Sequence, residues 1–444
     1  MQPVCRPRAS AAPHIMEKEW MRMIIYTVKP GDTLYNIARR YSVTMDQLTQ
    51  ANGLRYPDRL AIGQELIIPR PNAYEVQSGD SLYSIALSAG VSLDALKAAN
   101  PQIAAPYTIY TGEVITLPQR ERPPIRVNGY VYPAVSTTVL EQTLPYLTFL
   151  SIFSYRTDAE GNLDSIDDTE LIRTARAAGV APVMVVTNTQ SGGGFDSDLV
   201  AALLTDTAAG TRLINNILST LRAKNYYGVD IDFEYIPPAN REDYNRFLER
   251  LAEQLHREGY KLSTALAPKI RADQVGTLYE AHDYAFHGRV ADQIILMTYE
   301  WGYLYGPPMA VAPIGPVKQV LDYAVTVIPP EKILMGMPNY GYDWTLPYVS
   351  GRPAEILTIQ QAVNRAIETG ATIEFSTSSQ APFFKYTKNG AEHIVWFENA
   401  SSTKARLELV AQYGLGGVSY WTLNSFFPQN WAVLESMYSV QKVI

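Results

Sequence analysis

The chain has 444 residues, of which 47% are hydrophobic and 18% are charged, and its formal net charge is -7. This composition is typical of a protein with a sizeable core, and the length leaves room for one large domain with smaller ones beside it. The acidic balance argues against a nucleic-acid partner, and no apolar run is long enough to span a membrane.

Metal and disulfide chemistry have little support in the sequence. Cys5 is the only cysteine, so neither a disulfide within the chain nor a cysteine-based metal cluster can form. The 5 histidines are scattered and lack the spacing of zinc ligands. We therefore predict no metal site.

The amino-terminal residues carry no recognisable signal peptide. Proline, arginine and acidic residues interrupt each apolar run there. We expect residues 1–23 to be either a disordered tail or an over-extended start.

An internal repeat comes next. The stretch YTVKPGDTLYNIA at 26–38 recurs as YEVQSGDSLYSIA at 74–86. Each copy continues through a second amphipathic pattern and ends in a short strand, which predicts two small βααβ domains at 24–70 and 72–119. Side-chain oxygens of the Asp-Thr and Asp-Ser pairs are expected to cap the first helix of each copy.

These repeats resemble LysM modules, a family that binds glycans containing N-acetylglucosamine, such as peptidoglycan and chitin. In that family the sugar lies between the Gly-Asp-Thr/Ser-Leu loop and the loop after the second helix. The resemblance implies these glycan-binding residues: Gly31, Asp32, Thr33, Leu34, Asn52, Gly53 and Leu54 in the first copy, and Gly79, Asp80, Ser81, Leu82, Asn100, Gln102 and Ile103 in the second. The alternative is that the Asp, Thr and Asn side chains only cap helices and turns. Two modules on one chain favour avidity toward a repetitive polymer.

A charged segment with a proline pair at 119–125 predicts a short, stiff linker. Beyond it, apolar runs and amphipathic helical patterns alternate eight times. The predicted strands are 126–132, 147–153, 181–187, 227–234, 261–267, 292–299, 332–338 and 416–422. Eight strand–helix units over 125–444 predict an α/β fold, a (β/α)8 TIM barrel whose site lies at the carboxyl ends of its strands.

Residues 350–398, between the seventh and eighth strands, predict a small α+β insertion. A helix is expected near Thr358–Glu368. A hairpin should follow from Phe383 to Phe397, with Asn389-Gly390 at its turn.

The fourth predicted strand carries three acids on one face. Side chains alternate between the two faces of a strand, which places Asp230, Asp232 and Glu234 together opposite an apolar face. Carboxyls in a row repel one another and are costly to bury unpaired. This pattern favours a catalytic strand over the alternative, a half-exposed strand with an acidic solvent face.

The stretch GVDIDFEY resembles the signature of the chitinase-like family-18 glycoside hydrolases, whose fourth strand reads Asp-x-x-Asp-x-Asp-x-Glu. Asp230, Asp232 and Glu234 match it, and Tyr227 stands where the signature has its first acid. This departure puts the tuning of Asp230 and Asp232 in doubt, and we expect activity to survive with a shifted pH optimum. The insertion is similar to one that deepens the groove in many family members.

The resemblance implies substrate-assisted hydrolysis with net retention and without a cofactor. Glu234, outermost in the row, would be the proton donor, because neighbouring carboxylates raise the pKa of at least one acid. The N-acetyl carbonyl oxygen would attack the anomeric carbon. Asp232 would hold the acetamide N–H, Tyr299 would hydrogen-bond the carbonyl, and Asp230 would pair with Asp232.

Other strand ends supply candidates for substrate binding. Met297-Thr-Tyr299-Glu300 is similar to the family's Met-x-Tyr-Asp, and the segment ending at Trp421 to its Gly-Gly-x-x-x-Trp. An indole at a barrel mouth offers a packing surface for a sugar ring, although Trp421 and Tyr299 are also compatible with core positions. The expected substrate-binding residues are Trp421, Tyr130, Met297, Asn188, Asn339 and Tyr340.

Together these features resemble the spore-cortex-lytic and spore germination N-acetylglucosaminidases of endospore-forming bacteria. The resemblance implies cleavage of β-1,4 bonds after N-acetylglucosamine in peptidoglycan, at the spore coat, cortex or wall surface, with no membrane or obligate protein partner. One alternative is a chitinase acting on chitin oligomers. The other is a non-catalytic glycan-binding coat protein, against which the retained acids argue. Endo and exo action both stay open.

Overall fold

The computed structural model describes residues 23–69, 73–119 and 121–444. Apart from Met23, the predicted amino-terminal tail lies outside these ranges. The described part contains two small modules, here called module 1 (23–69) and module 2 (73–119), followed by a barrel with an additional sheet. None of its helices combines the length and the apolar character needed to cross a membrane.

Module 1 is an antiparallel pair of strands covered by two helices. Its elements are β1 Ile24–Thr27, α1 Leu34–Arg40, α2 Met45–Asn52 and β2 Glu65–Ile68. The Thr33 hydroxyl caps α1, as predicted, by accepting from the Asn36 amide at 3.1 Å. Leu34, Ile37 and Leu48 pack together in its core.

Module 2 repeats this arrangement. Its elements are β3 Ala73–Glu75, α3 Leu82–Ala89, α4 Leu93–Ala98 and β4 Val114–Thr116. Ser81 caps α3 by accepting from the Ser84 amide at 3.1 Å. Its apolar side chains form a core of their own. The βααβ pattern predicted from the repeat is therefore confirmed in both copies.

Seven parallel strands with intervening helices follow. In chain order they are β5 Pro124–Val131, α5 Thr137–Thr143, β6 Phe149–Arg156, α6 Thr169–Ala177, β7 Ala181–Thr187, α7 Ser197–Thr205, α8 Thr207–Lys224, β8 Gly228–Asp232, α9 Arg241–Arg257, β9 Lys261–Leu266, α10 Tyr284–Val290, β10 Gln293–Leu296, α11 Ile314–Ala324 and β11 Ile333–Pro338. Each strand pairs with the next, which carries the sheet around the barrel.

A five-stranded sheet then projects from the barrel. Its elements are β12 Gly341–Thr345, β13 Glu355–Leu357, α12 Ile359–Thr369, β14 Glu374–Ser376, β15 Ala381–Lys388 and β16 Ala391–Trp396. Asn389 and Gly390 form the predicted hairpin turn, with φ of 51° and 78°. The sheet starts before residue 350, the predicted start of the insertion, because β12 pairs with β16 and not with the barrel.

The chain returns to the barrel for its last elements. They are α13 Ala400–Tyr413, β17 Gly417–Trp421, α14 Pro428–Met437 and β18 Ser439–Val440. Strand β17 pairs with both β11 and β5, so eight parallel strands close into the predicted (β/α)8 barrel. The main apolar core lies between the strands and the surrounding helices.

Tyr227 lies at the amino-terminal end of the barrel interior. Its ring is 5.8 Å from that of Phe149, and both pack with Ala181 and Val183. Tyr227, which replaces the first acid of the family signature, is thus an aromatic packing residue below the three acids.

Candidate active site

The fourth barrel strand delivers its acids to the carboxyl end of the barrel. Asp230 and Asp232 are 0% and 5% exposed. β8 ends at Asp232, earlier than predicted, because side-chain bonds replace the strand ladder beyond it. The Glu234 amide donates to Asn188 Oδ1 at 3.0 Å, and Asn188 Nδ2 donates to the Glu234 carbonyl at 2.9 Å. Asn188 therefore fixes the backbone that carries Glu234.

Asp230 lies deepest of the three acids. Tyr130 donates its hydroxyl to Asp230 Oδ2 at 2.6 Å, and Ser263 donates to Oδ1 at 2.7 Å. Burial raises the pKa of Asp230 to about 6, and the two hydrogen bonds oppose that rise. Among the described residues no hydrogen bond joins Asp230 to Asp232, so the predicted pair is corrected to an electrostatic contact.

Asp232 and Glu234 face the barrel mouth. Burial raises the pKa of Asp232 well above its usual value, and the charges of Glu234 and Asp230 add to the rise. Asp232 Oδ1 is buried with no hydrogen-bond partner in the described part of the chain. Burial, followed by the charge of Glu300, raises the pKa of Glu234 to about 7. The site therefore retains a proton near neutral pH, as predicted, although burial is the larger cause.

Glu300 is a site residue to which no role was assigned from the sequence, although it belongs to the motif Met297-Thr-Tyr299-Glu300. It follows β10 with a positive φ of 65°. Tyr340 donates to its carboxylate, and so does Tyr342, at 2.9 and 3.1 Å. Because Tyr342 lies on β12, this contact joins the additional sheet to Glu300, whose charge acts on Glu234. Glu300 stands where the family motif has Asp, and this difference was the sequence signal that could have identified it as a site residue.

A cavity of about 460 Å³ lies over these acids. Asp232, Glu234, Met297, Tyr299 and Trp421 line it, as does Tyr130. The Trp421 ring lies 4.9 Å from Phe153 and 5.5 Å from Tyr130, in edge contacts that hold the indole. Tyr132, Phe153, Phe195 and Tyr342 also line the cavity; sequence reasoning missed them because the segments that carry them show no motif.

A second cavity, of about 480 Å³, continues on the other side of Glu234. The two share Glu234, Met297, Tyr299 and Glu300. The second is lined by further aromatic side chains, those of Tyr235, Tyr279, Trp301 and Tyr303. Glu234 therefore stands at the middle of a groove with space on both of its sides, the position required for cleavage of a bond between two sugars.

Three predicted groove residues have supporting roles. Asn188 is fully buried and holds the Glu234 backbone. Asn339 donates to the carbonyls of Thr422 and Ser425 at 2.9 and 3.0 Å, which joins two loops. Tyr340 holds Glu300. Their polar groups are directed at protein atoms, which supports a positioning role, and contact with substrate stays a prediction.

Most of the predicted glycan-binding residues of the two modules fall into three groups. Gly31, Gly79, Thr33 and Ser81 are exposed in the loops before the first helices. The Asp32 and Asp80 carboxylates accept from Tyr26 and Tyr74 at 2.6 and 2.5 Å. The side chains of Leu34, Leu82, Asn52 and Asn100 are buried inside the modules. For these last four, the burial indicates a structural role, and contact with a glycan stays a prediction.

Within the described ranges, no group of three His, Cys, Asp or Glu side chains has an arrangement that could hold a metal ion.

Paired acids with raised pKa values, set in an aromatic groove at the mouth of a (β/α)8 barrel, define a glycosidase. The chain belongs to the glycosyl hydrolases family 18, whose model matches residues 147–425. The LysM domain model matches residues 26–69 and 74–118.

Full-length relatives are also known. The chain is 43% identical over 428 residues to the cortical fragment-lytic enzyme of Bacillus subtilis (strain 168), covering 95% of this chain and 99% of the relative. It is similar to the crystal structure of the spore cortex-lytic enzyme SleL of Bacillus megaterium QM B1551, with a TM-score of 0.83, 36% identity, and coverage of 95% and 99%. The SleL structure from Bacillus cereus matches with a TM-score of 0.81, 36% identity and the same coverage.

Proposed function

We propose that this glycosidase degrades spore-cortex peptidoglycan by cleaving β-1,4 bonds after N-acetylglucosamine, and that it acts at the spore cortex or wall. The names of the three relatives above support the cortex as the substrate. The LysM domains support binding to a polymer of N-acetylglucosamine. The observation that carries the chemistry is the buried Asp232 Oδ1, which has no hydrogen-bond partner among the described residues and lies beside an acid whose pKa is about 7.

The substrate acetamide supplies the hydrogen bond that Asp232 Oδ1 does not receive from any described residue. Its N–H donates to Asp232, which lowers the pKa of Asp232 and leaves the proton on Glu234. Glu234 then protonates the glycosidic oxygen while the N-acetyl carbonyl oxygen bonds to the anomeric carbon, with Tyr299 aiming the carbonyl. The leaving sugar departs through the second cavity. Water, deprotonated by Glu234, opens the oxazolinium ion and retains the anomeric configuration.

Two substitutions test this assignment on purified cortex fragments. Glu234→Gln removes the proton donor and should lower product release by roughly 10²- to 10⁴-fold. Asp232→Asn should lower it similarly, because an amide cannot balance the charge on the acetamide. Glu253→Gln, on the exposed face of α9, is the matched control. Products are identified by mass spectrometry and their anomeric configuration by NMR.

The same assay separates the alternatives. Fragments whose N-acetyl group has been removed should resist cleavage at that sugar, since the internal nucleophile is absent. Release of products from chitin oligomers but not from cortex fragments would favour a chitinase. Unchanged release by Glu234→Gln would contradict an enzymatic role and leave a glycan-binding protein.

A further inference from the structure

Module 1 is packed against the catalytic unit through apolar side chains. Ile67, on β2, belongs to the apolar core of the barrel. Ala61 belongs to the apolar core of the additional sheet, together with Phe384 and Phe427. β2 contacts α13 and α14 of the barrel. Burial of this kind of surface holds two domains in one arrangement.

Polar contacts at the same surface are specific. Gln429 Nε2, on α14, donates to Asn52 Oδ1 and to the Glu65 carbonyl, both at 2.8 Å. The Glu65 carboxylate accepts from the amide of Ser401 at 2.8 Å, in the first turn of α13, where a helix favours a negative charge. The Ile373 amide, in the additional sheet, donates to the Ile62 carbonyl at 2.8 Å.

The two repeats differ at the positions that make this contact. The closing strands align with Gly63 matched to Gly112 and Pro69 matched to Pro118. In this register Ala61 is 5% exposed, whereas its match Tyr110 is 71% exposed. Glu65 is 9% exposed and its match Val114 is 62% exposed. Ile67 is buried, whereas its match Thr116 is exposed. Module 1 thus carries docking residues where module 2 presents the matched face to solvent.

The matched glycines show the same difference. Gly63 and Gly112 both have positive φ, of 81° and 87°. A Cβ on Gly63 would lie 1.8 Å from the Ile373 carbonyl oxygen, whereas a Cβ on Gly112 would have nothing within 4 Å. Only in module 1 does the backbone at this turn approach the catalytic unit closely.

The loop after the second helix, one wall of the predicted glycan groove, is used differently in the two modules. In module 2, Gln102 Nε2 donates to Asn100 Oδ1 at 3.3 Å from within the same loop. In module 1, Gln429 of the barrel makes the matching bond to Asn52. A Cβ on Gly53 would lie 3.0 Å from Pro428. The catalytic unit therefore contacts this wall in module 1, whereas in module 2 the matching bond comes from within the loop.

We propose that module 2 alone binds the glycan polymer, whereas module 1 is a fixed part of the catalytic unit that supports the additional sheet. The inference rests on the proposed function, in which the polymer contains N-acetylglucosamine. The support is relevant to the active site, since β12 of that sheet carries Tyr342, a hydrogen-bond donor to Glu300.

A matched pair of substitutions in the full chain tests the proposal. Thr33→Arg and Ser81→Arg place the same bulky side chain in the exposed loop of each module and remove an equivalent helix cap. Both are made in the Glu234→Gln background, so that binding to insoluble peptidoglycan is measured without digestion. Ser81→Arg should raise the Kd by about tenfold or more, the effect of losing a main contact, and Thr33→Arg by less than about twofold. Thermal unfolding confirms that both variants are folded.

Each other outcome overturns the proposal. Equal losses of about 10²-fold in both variants would show that the modules bind together with avidity. A loss with Thr33→Arg alone would assign binding to module 1, and no loss in either would place binding outside both loops. Hydrolysis of soluble cortex fragments is measured with Glu234 restored. Absence of Glu234-dependent product would count against the proposed function, independently of the binding result.

Discussion

Burial gives the three carboxyl groups of the site raised pKa values, and this affects stability as well as catalysis. A carboxyl whose pKa is higher in the folded chain contributes stability that is fully present below its unfolded pKa and is lost as pH rises through the folded value. For Asp230 this window runs from 3.8 to about 6, and for Glu234 from 4.5 to about 7. The fold therefore loses stability over the pH range in which it keeps a protonated acid available.

At this scale Glu300→Gln isolates the effect of one charge. The amide keeps the shape of Glu300 and one oxygen that accepts from Tyr342, but the negative charge that raises the pKa of Glu234 is gone. The pKa of Glu234 should fall, by roughly 0.7 unit for an interaction of about 1 kcal/mol. Because Glu234 must be protonated to act as the acid, activity will then be lost at lower pH.

The measurement is the pH profile of kcat/KM on soluble cortex fragments, whose alkaline limb should move to lower pH. Glu374→Gln, on an exposed edge strand of the additional sheet, is the matched control and should leave the profile in place. An alkaline limb that stays fixed or moves upward in Glu300→Gln would show that Glu300 does not tune Glu234.

At the scale of elements, local patterns predicted most of what formed. Apolar periodicity located the eight strands, and the Asn389-Gly390 pair located the hairpin turn, because both signals depend on residues near in sequence. The end of β8 was predicted wrongly, since it is set by Asn188, which directly follows β7. The same residue was assigned to the groove, because a position at a strand end does not reveal where its amide points.

Asn188→Ala tests how the hydrogen bonds after the end of β8 position Glu234. The change removes both hydrogen bonds to the Glu234 backbone and leaves the groove lining intact. We expect kcat to fall by about 10- to 100-fold while KM changes by less than about threefold, since small displacements of a catalytic group are costly. Asn216→Ala, which removes one bond to Gly161 outside the barrel, is the control. A change in KM with kcat preserved would instead identify Asn188 as a substrate contact.

For the whole molecule, features formed by residues close together in the sequence could be predicted, and features formed by distant segments could not. Asp232 and Glu234 could be identified because they belong to one short segment with a specific pattern. The contact of Glu300 with Tyr342 could not, because it joins segments that only the fold brings together. The repeats predicted two equivalent modules. Their different environments depend on which surface each module presents to the barrel. The alignment of the repeats matches the apolar Ile67 to the polar Thr116, but this difference alone does not reveal that module 1 packs on the barrel.

This difference predicts how the molecule unfolds. Ile67→Thr places a hydroxyl in the barrel core and should cost about 1–3 kcal/mol, lowering the Tm of the main calorimetric transition and the activity at elevated temperature together. Thr116→Ser, at the matched exposed position of module 2, should leave that transition unchanged, because module 2 has a core of its own. If Ile67→Thr shifts only a small separate transition and the barrel unfolds as before, module 1 is an independent unit and does not support the active site.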